Sequence, residues 1–358
     1  MGENPYKDLA ERLDALPQGF PATDDGVELE LLAKLFTPEE AALAASLRLT
    51  LETPQEISQR TGEPSADLGQ RLKGMARRGL ITWGRGENGP GFGLMPFVVG
   101  IYEMQIGRMD QEFAQLFEDY YQKAFTQSLS LKPQVHRIIP VGESVQTGLE
   151  IRPFESAGEI VRSARSWGVV ECICRTQKAL VGDPCEHPRD VCMVLSETRG
   201  TFDHNPGIQA LTHAEAMATL TRAADAGLVH SVSNNQKGLW YICNCCTCSC
   251  GILRGMAEMG IANVVASSAF VNQVDEELCQ GCGDCLERCQ FDALSLNGTI
   301  TVNEIRCVGC GVCVLVCPDD ALGLIHRPEG EFMQPPVTVS DWMADRAHSR
   351  GLDLFEIL

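Results

Sequence analysis

No cysteine occurs before Cys172 in this 358-residue chain. The N-terminal stretch therefore holds neither a thiolate metal site nor a disulfide, and any sulfur chemistry is confined to the remainder. Aromatic residues are scarce, at 6%, and no run approaches the roughly 18 apolar residues that a spanning helix needs, so membrane insertion is not expected. The opening segment MGENPYKDLAERLDALPQGF lacks the basic start and apolar stretch of a secretory signal, which gives a cytoplasmic expectation. Positive charge is in short supply too. The 29 Lys and Arg against 48 Asp and Glu leave a net charge of −19, which argues against general affinity for nucleic acid or an anionic membrane. With 44% hydrophobic and 22% charged residues the composition is ordinary for globular domains, and at about 150 residues per domain two or three are expected.

What is abundant is thiol: 17 cysteines, all from Cys172 onward. In a reducing compartment dense cysteine motifs read as metal sites rather than disulfides, and an odd number fits complete pairing poorly.

In the cysteine-free part, a first helix is expected around Tyr6–Leu16. Thr37-Pro38-Glu39-Glu40 is an N-cap followed by Pro at N1 and an acidic first turn, opening a helix toward Leu49. A second helix spans Pro54–Thr61 and stops at Gly62. Ser65 caps a third, whose Leu68, Leu72 and Met75 share one face. Gly79 ends it, and Leu80–Trp83 is expected to pair with Phe92–Phe97 across a glycine-rich loop. This pattern resembles a winged helix-turn-helix domain. Arg71, Lys73, Arg77, Arg78 and Arg85 against Asp67 give residues 65–86 a net charge of +4, the footprint a DNA-binding wing needs. Arg77 and Arg78 equally suit a helix C-terminus, and winged helices also serve as protein-docking modules. Gly84-x-Gly86-x-x-Gly89 imitates a dinucleotide motif, but it lies in the hairpin and opens no helix, so it is not read as a nucleotide site.

Residues 100–126 carry Ile106, Met109, Phe113, Phe117, Tyr120 and Tyr121 in steps of three and four. They predict a long amphipathic helix packed on a neighbouring domain or on a second copy of the chain. Short strands are expected at Val135–Val141 and Gly148–Arg152, a helix at Ala157–Ser166 and an apolar strand at Gly168–Cys172. Thr212-His-Ala-Glu215 is a capping box for a helix ending before Gly227.

Eight of the cysteines form two matched runs. Cys279-x2-Cys282-x2-Cys285-x3-Cys289 is followed by Cys307-x2-Cys310-x2-Cys313-x3-Cys317-Pro318. Three cysteines at i, i+3 and i+6 on a tight loop can grip three irons of one cubane, while the fourth points away to the other cluster. This assigns Cys279, Cys282, Cys285 and Cys317 to one [4Fe-4S] cluster, and Cys307, Cys310, Cys313 and Cys289 to a second. Asn297-Gly298 between alternating residues predicts a hairpin, and Gly281, Gly283, Gly309 and Gly311 relieve crowding where backbone approaches cluster sulfur. Residues 271–325 thus resemble a bacterial-type two-cluster ferredoxin, with one departure: Gln290 stands where the pattern has Pro. A local change at that turn, with ligation intact, is expected.

Nine cysteines remain: Cys172, Cys174, Cys185, Cys192, Cys243, Cys245, Cys246, Cys248 and Cys250. Were Cys243–Cys250 extended, Cys246, Cys248 and Cys250 would share one face, with Cys243 and Cys245 on the other. A helix over Ile252–Met259 would then turn its positive end toward a cluster beside Cys250. Three readings stay open: one or two further [4Fe-4S] clusters with some thiols unused, a larger non-cubane iron–sulfur assembly, or structural zinc, best suited to Cys172, Cys174, Cys185 and Cys192. His187 and His230 lie near in sequence, but a lone histidine is more often structural than ligating. Arg175, directly after Cys174, is suited to donating to cluster sulfur, binding an anion or pairing at the surface. The whole arrangement resembles multidomain iron–sulfur proteins of anaerobic bacteria and archaea, in which Ser249 would be expected as cysteine.

The chain therefore reads as an α+β multidomain protein. The expected parts are an arm at 1–28, a winged-helix-like domain at 29–99, the long helix and connecting strands at 100–150, a cysteine-rich α/β domain at 151–265, a two-cluster ferredoxin domain at 266–328 and a tail at 329–358. Electron transfer is the leading functional reading. The chain would be a subunit or partner of a redox enzyme in anaerobic metabolism, passing electrons between the ferredoxin clusters and a further cysteine-ligated site. Whether it is itself an oxidoreductase stays open, since no Ser-His-Asp set or phosphate loop is evident. Nine acidic residues between Asp275 and Asp320 against Arg288 and Arg306 suit a basic redox partner. A second copy could dock through 100–126. The alternatives, from other classes, are a redox-sensing winged-helix regulator that binds DNA and a scaffold that delivers clusters.

Overall fold

The computed structural model describes residues 4–142, 144–262 and 264–354. Residues cluster into two units. One comprises Met1–Leu131, Leu180–Gly182 and Met343–Leu358, the other Lys132–Ala179 and Asp183–Trp342.

The first unit is mainly helical. Asn4 caps α1 (Pro5–Asp14), accepting from the Tyr6 amide at 3.0 Å. After α2 (Val27–Leu35), α3 (Pro38–Ala45) and α4 (Pro54–Thr61) each open with a threonine–glutamate capping box and Pro in the first turn, as the sequence requires. Gly62 closes α4 in the left-handed region at φ 77°. α5 (Ser65–Arg77) buries Leu68, Leu72 and Met75; Pro64 holds its N-cap position, and the Ser65 side chain lies outside the described residues. The hairpin that follows pairs β1 (Thr82–Gly86) with β2 (Gly89–Gly93), and Glu52 bridges Phe92. The first strand starts two residues later than expected, because Leu80 and Ile81 are spent as buried residues on the turn leaving α5, and the second starts three residues earlier, at Gly89.

The helix predicted over 100–126 starts eleven residues late. Residues 97–108 form short turns, and the helix begins only where Asp110 accepts from the Phe113 amide at 2.8 Å. From there α6 (Gln111–Tyr120) runs through a π-helical turn, Tyr121–Phe125, into α7 (Thr126–Leu129). Its apolar face is consumed within the unit: Phe113, Phe117, Tyr120 and Tyr121 are buried with Phe20, Phe97 and Tyr102 in an aromatic cluster. Nor is 329–358 a simple tail. It contains the helix Val339–Arg350, whose buried Arg346 donates to the carbonyls of Pro17, Ser128 and Leu131, each at 2.8 Å.

The second unit is built on a six-stranded antiparallel sheet. Its strands are β3 (His136–Ile138), β4 (Ser166–Val170), β5 (Cys192–Ser196), β6 (Gln209–Leu211), β7 (Val229–Ser233) and β8 (Tyr241–Cys245), in the order β3-β7-β8-β5-β4-β6. The strand expected at Gly148–Arg152 does not form; Gly148 ends a turn, and 149–152 run without regular structure into a 3-10 turn at Pro153–Glu155. α8 (Ala157–Ser163) and α10 (His213–Asp225, capped by Thr212 and Glu215) contribute Ile160, Val161, Ala216 and Leu220 to a core shared with Met193, Leu195, Val232 and Ile242. α9 (Ile173–Leu180) leaves the end of β4. Past β8 comes α11 (Arg254–Ala257), a single turn where a helix over Ile252–Met259 was expected, so its dipole offers nothing to a site. The remainder pairs β9 (Phe270–Val274) with β12 (Leu322–His326) around α12 (Asp284–Arg288) and the hairpin β10 (Leu294–Asn297)–β11 (Thr299–Val302), which turns at Gly298.

Candidate metal centres

Two cavities lie in the C-terminal part of the second unit, each bounded by four sulfurs. Cys279, Cys282 and Cys285 of the first run line one of about 310 Å³ together with Cys317 of the second. Cys307, Cys310 and Cys313 line another of about 340 Å³ together with Cys289 of the first. The fourth cysteine of each run thus faces the other run's loop. Cys289 caps α12 in extended conformation, and Cys317 does the same after the turn Val314–Val316, which turns each away from its own loop. Donors converge on these sulfurs: the Ala293 amide to Cys289 at 3.4 Å, the Ala321 amide to Cys317 at 3.3 Å, and Asn272 Nδ2 to Cys313 at 3.4 Å. Burial pushes Cys285 up to about 11 and Cys310 up to about 12, so as free thiols both stay protonated near neutrality. Four soft donors around a sulfur-lined hollow, with N–H groups aimed at the thiolates, fit a [4Fe-4S] cluster.

The other nine cysteines separate into two groups that sequence spacing did not reveal. Six form a closed ring, drawn from four segments. Cys172 neighbours Cys174 and Cys192, Cys192 neighbours Cys243, Cys243 neighbours Cys245, Cys245 neighbours Cys250 and Cys250 neighbours Cys174, each pair close enough for one thiol to shift the other's ionisation. Cys172 and Cys174 sit at the entry of α9, Cys192 opens β5, Cys243 and Cys245 lie on β8, and Cys250 ends the turn after it. The register carries this: Val170 pairs with Cys192, and Met193 with Ile242, bringing three strand ends together. Crowding governs ionisation. Hydrogen bonds from Cys174 and Cys192 hold Cys172 well below the usual thiol range, while Cys174, Cys192 and Cys243 are pushed well above it by neighbouring sulfur and burial. Six thiolates cannot be charged together here without a compensating polycation, which is what a metal–sulfide core provides.

Cys185, Cys246 and Cys248 form the second group with His187. Their ligand atoms all lie within 4.8 Å of one another. The turn after β8 causes the split: the Cys250 amide donates to the Cys246 carbonyl at 3.0 Å, so the chain is not extended through Cys250. Alternation ends at Cys245, Cys250 joins the ring, and Cys246 and Cys248 face the other way. Cys185 accordingly does not join Cys172, Cys174 and Cys192, the set read as best suited to zinc. His187 stands among three thiols and is not the lone histidine expected. The signal that could have found it is the pair of short chelates Cys185-x-His187 and Cys246-x-Cys248. His230 lies outside this group: it is buried, Nδ1 bonds Asn244 Oδ1 at 2.5 Å, and burial pushes it down to about 4. Arg175 is buried, and donates to Cys246 Sγ at 3.4 Å and to the carbonyls of Pro188 and Asn244, each at 2.9 Å. Ser249 donates to Cys185 Sγ at 3.2 Å.

The departure at Gln290 has a use. Its side-chain oxygen accepts from the Thr247 amide at 2.7 Å, and its amide nitrogen donates to the Gly227 carbonyl. Proline could make neither bond. Gln290 follows Cys289 and Thr247 lies between Cys246 and Cys248, so one side chain joins a ferredoxin-type ligand loop to the nine-cysteine region. Of the basic residues in 65–86, Arg71 pairs with Glu63 at 2.9 Å and Arg78 with Glu40, so two of the positive charges read as a DNA footprint are paired within the first unit.

No helix among the described residues is long and apolar enough to cross a membrane. No curated protein and no solved structure matches the chain. Residues 278–321 match the family model of the 4Fe-4S dicluster domain, and together with the two sulfur-lined cavities this makes the chain an iron–sulfur protein with an electron-transfer role.

Proposed function

We propose that the chain is an electron-transfer component of a larger redox system in anaerobic metabolism. It would hold two [4Fe-4S] clusters, one at Cys279, Cys282, Cys285 and Cys317 and one at Cys307, Cys310, Cys313 and Cys289, together with a further polynuclear iron–sulfur centre on the six-cysteine ring. Bound clusters would supply reversible one-electron storage. The observation that carries this reading is the pair of four-sulfur cavities within the matched dicluster segment, and the Gln290 bridge ties their ligand loop to the turn whose far end, Cys250, belongs to the ring. The chain's own residues set the conditions. The N–H donors at Cys289, Cys313 and Cys317 favour added negative charge, while the net −7 across Asp275–Asp320 opposes it and suits a partner with a basic face. The helices α3 to α5 with their hairpin and the Glu52–Phe92 bridge have the element order of a winged helix, which we read as a protein-docking module.

Stepwise anaerobic reduction of the full chain tests this. Two cubanes together take up about two electrons, so an uptake clearly above two per chain is expected. Uptake of two or fewer would remove the ring from the electron path.

A further inference from the structure

We propose that Cys185, His187, Cys246 and Cys248 bind a single Zn2+ ion, distinct from every iron–sulfur site of the chain. The first ground is spacing. Ligands about 2.3 Å (sulfur) and about 2.0–2.1 Å (nitrogen) from one tetrahedral ion lie roughly 3.5–4 Å apart. The four ligand atoms here all lie within 4.8 Å of one another, and His187 Nδ1 is 3.6 Å from Cys248 Sγ. A cubane spreads its thiolates over four irons, and each of the two ferredoxin-type quartets lines an open hollow.

Chain geometry is the second ground. The site is closed by two chelates of matched length: Cys185-x-His187 from the loop after α9, and Cys246-x-Cys248 from the turn after β8. Three thiolates and one imidazole complete a tetrahedron with no open position, the pattern of a structural zinc site rather than a catalytic one. Mixed thiolate and imidazole donors at one centre also suit zinc better than a sulfide cluster.

The third ground is the surroundings. Three thiolates around a doubly charged ion leave one unit of negative charge. The buried guanidinium of Arg175, 3.4 Å from Cys246 Sγ, cancels it, and the Ser249 hydroxyl donates to Cys185 Sγ at 3.2 Å. Such outer contacts orient ligands and make a buried charged site tolerable.

A redox-inert ion here would act as a staple. It fixes the turn Cys246–Cys250, which carries Cys250 of the ring at one end and presents the Thr247 amide to Gln290 in the middle. The assignment does not depend on what fills the ring.

Zinc and iron contents of the anaerobically purified full chain, with zinc K-edge absorption, test it. The expected result is one zinc per chain with three sulfur neighbours at about 2.3 Å and one nitrogen at about 2.0–2.1 Å. Cys248→Ser should lower zinc at least about tenfold, the scale on which even outer-shell changes weaken metal sites, and leave iron unchanged. Cys172→Ser should do the reverse. Where Cys248→Ser fails to accumulate, His187→Cys decides: zinc is kept and its shell becomes four sulfurs. Zinc below a tenth per chain in the parent protein, iron lost on Cys248→Ser, or an unchanged shell in His187→Cys would each overturn the proposal. Failure of the ring to hold iron would leave it standing.

Discussion

Cys317→Ser is expected to remove about four irons, and to remove them from the cavity of the other cysteine run. Cys317 belongs to the second run in sequence, but in space it stands with Cys279, Cys282 and Cys285. A serine hydroxyl is a harder and far less acidic donor than a thiol, so the cavity is left with three good ligands. It also loses the sulfur that accepts from the Ala321 amide. Cys307, Cys310, Cys313 and Cys289 are untouched and keep their own cavity. Cys289→Ser is the reciprocal case and should spare the first cavity. The check combines iron and sulfide content with trapping of the exposed thiols by an alkylating reagent after brief anaerobic exposure. In Cys317→Ser the labelled cysteines should be Cys279, Cys282 and Cys285. Labelling of Cys307, Cys310 and Cys313 instead would contradict the crosswise arrangement.

The second large effect concerns backbone. Gly309 sits between Cys307 and Cys310 at φ +68°, and a Cβ built there would lie 2.0 Å from the Phe270 carbonyl oxygen and 2.2 Å from Ser268 Oγ. Those atoms are fixed, since Ser268 donates to the Gly309 carbonyl at 2.7 Å and Phe270 belongs to β9. Left-handed backbone alone costs a non-glycine residue about 1–2 kcal/mol, and the clash adds several more by forcing the ligand loop off β9. Gly309→Ala should therefore fold poorly and lose the second cavity's iron. Gly298→Ala is the control: it has a similar φ, +81°, but nothing within 4 Å of the added carbon. It should cost only the backbone term and keep full iron. Equal behaviour of the two variants, in iron content and thermal unfolding, would show that contact with Phe270 and Ser268 is not what reserves position 309 for glycine.

These two cases show why the C-terminal part was readable in advance. Its chemistry is local: i, i+3, i+6 spacing puts three sulfurs on one loop, and Asn297-Gly298 turns the hairpin. The capping boxes of α3, α4 and α10 were legible for the same reason, because each is settled within four residues. The nine-cysteine region is not local. Its ring depends on β5 and β8 pairing and on one turn at Cys246–Cys250, and neither register nor that turn follows from cysteine spacing. Extrapolating β-alternation past Cys245 assigned Cys250 to the wrong face. The late start of α6 is a milder case: the apolar period continues upstream to Ile106, but Gly107 at φ +75° and the Asp110 cap decide where the helix begins. Gln290 was visible only as a departure. Its purpose required knowing that Thr247, far off in sequence, lies beside it.

Iron and acid-labile sulfide per chain, measured on protein purified without oxygen, test the central claim most directly. Two ferredoxin-type clusters account for about eight irons, so a six-cysteine ring that holds an iron–sulfur centre predicts clearly more than eight, with Cys245→Ser bringing the value back to about eight. A parent protein with eight irons or fewer, unchanged by Cys245→Ser, would contradict it and confine the redox chemistry to the C-terminal pair.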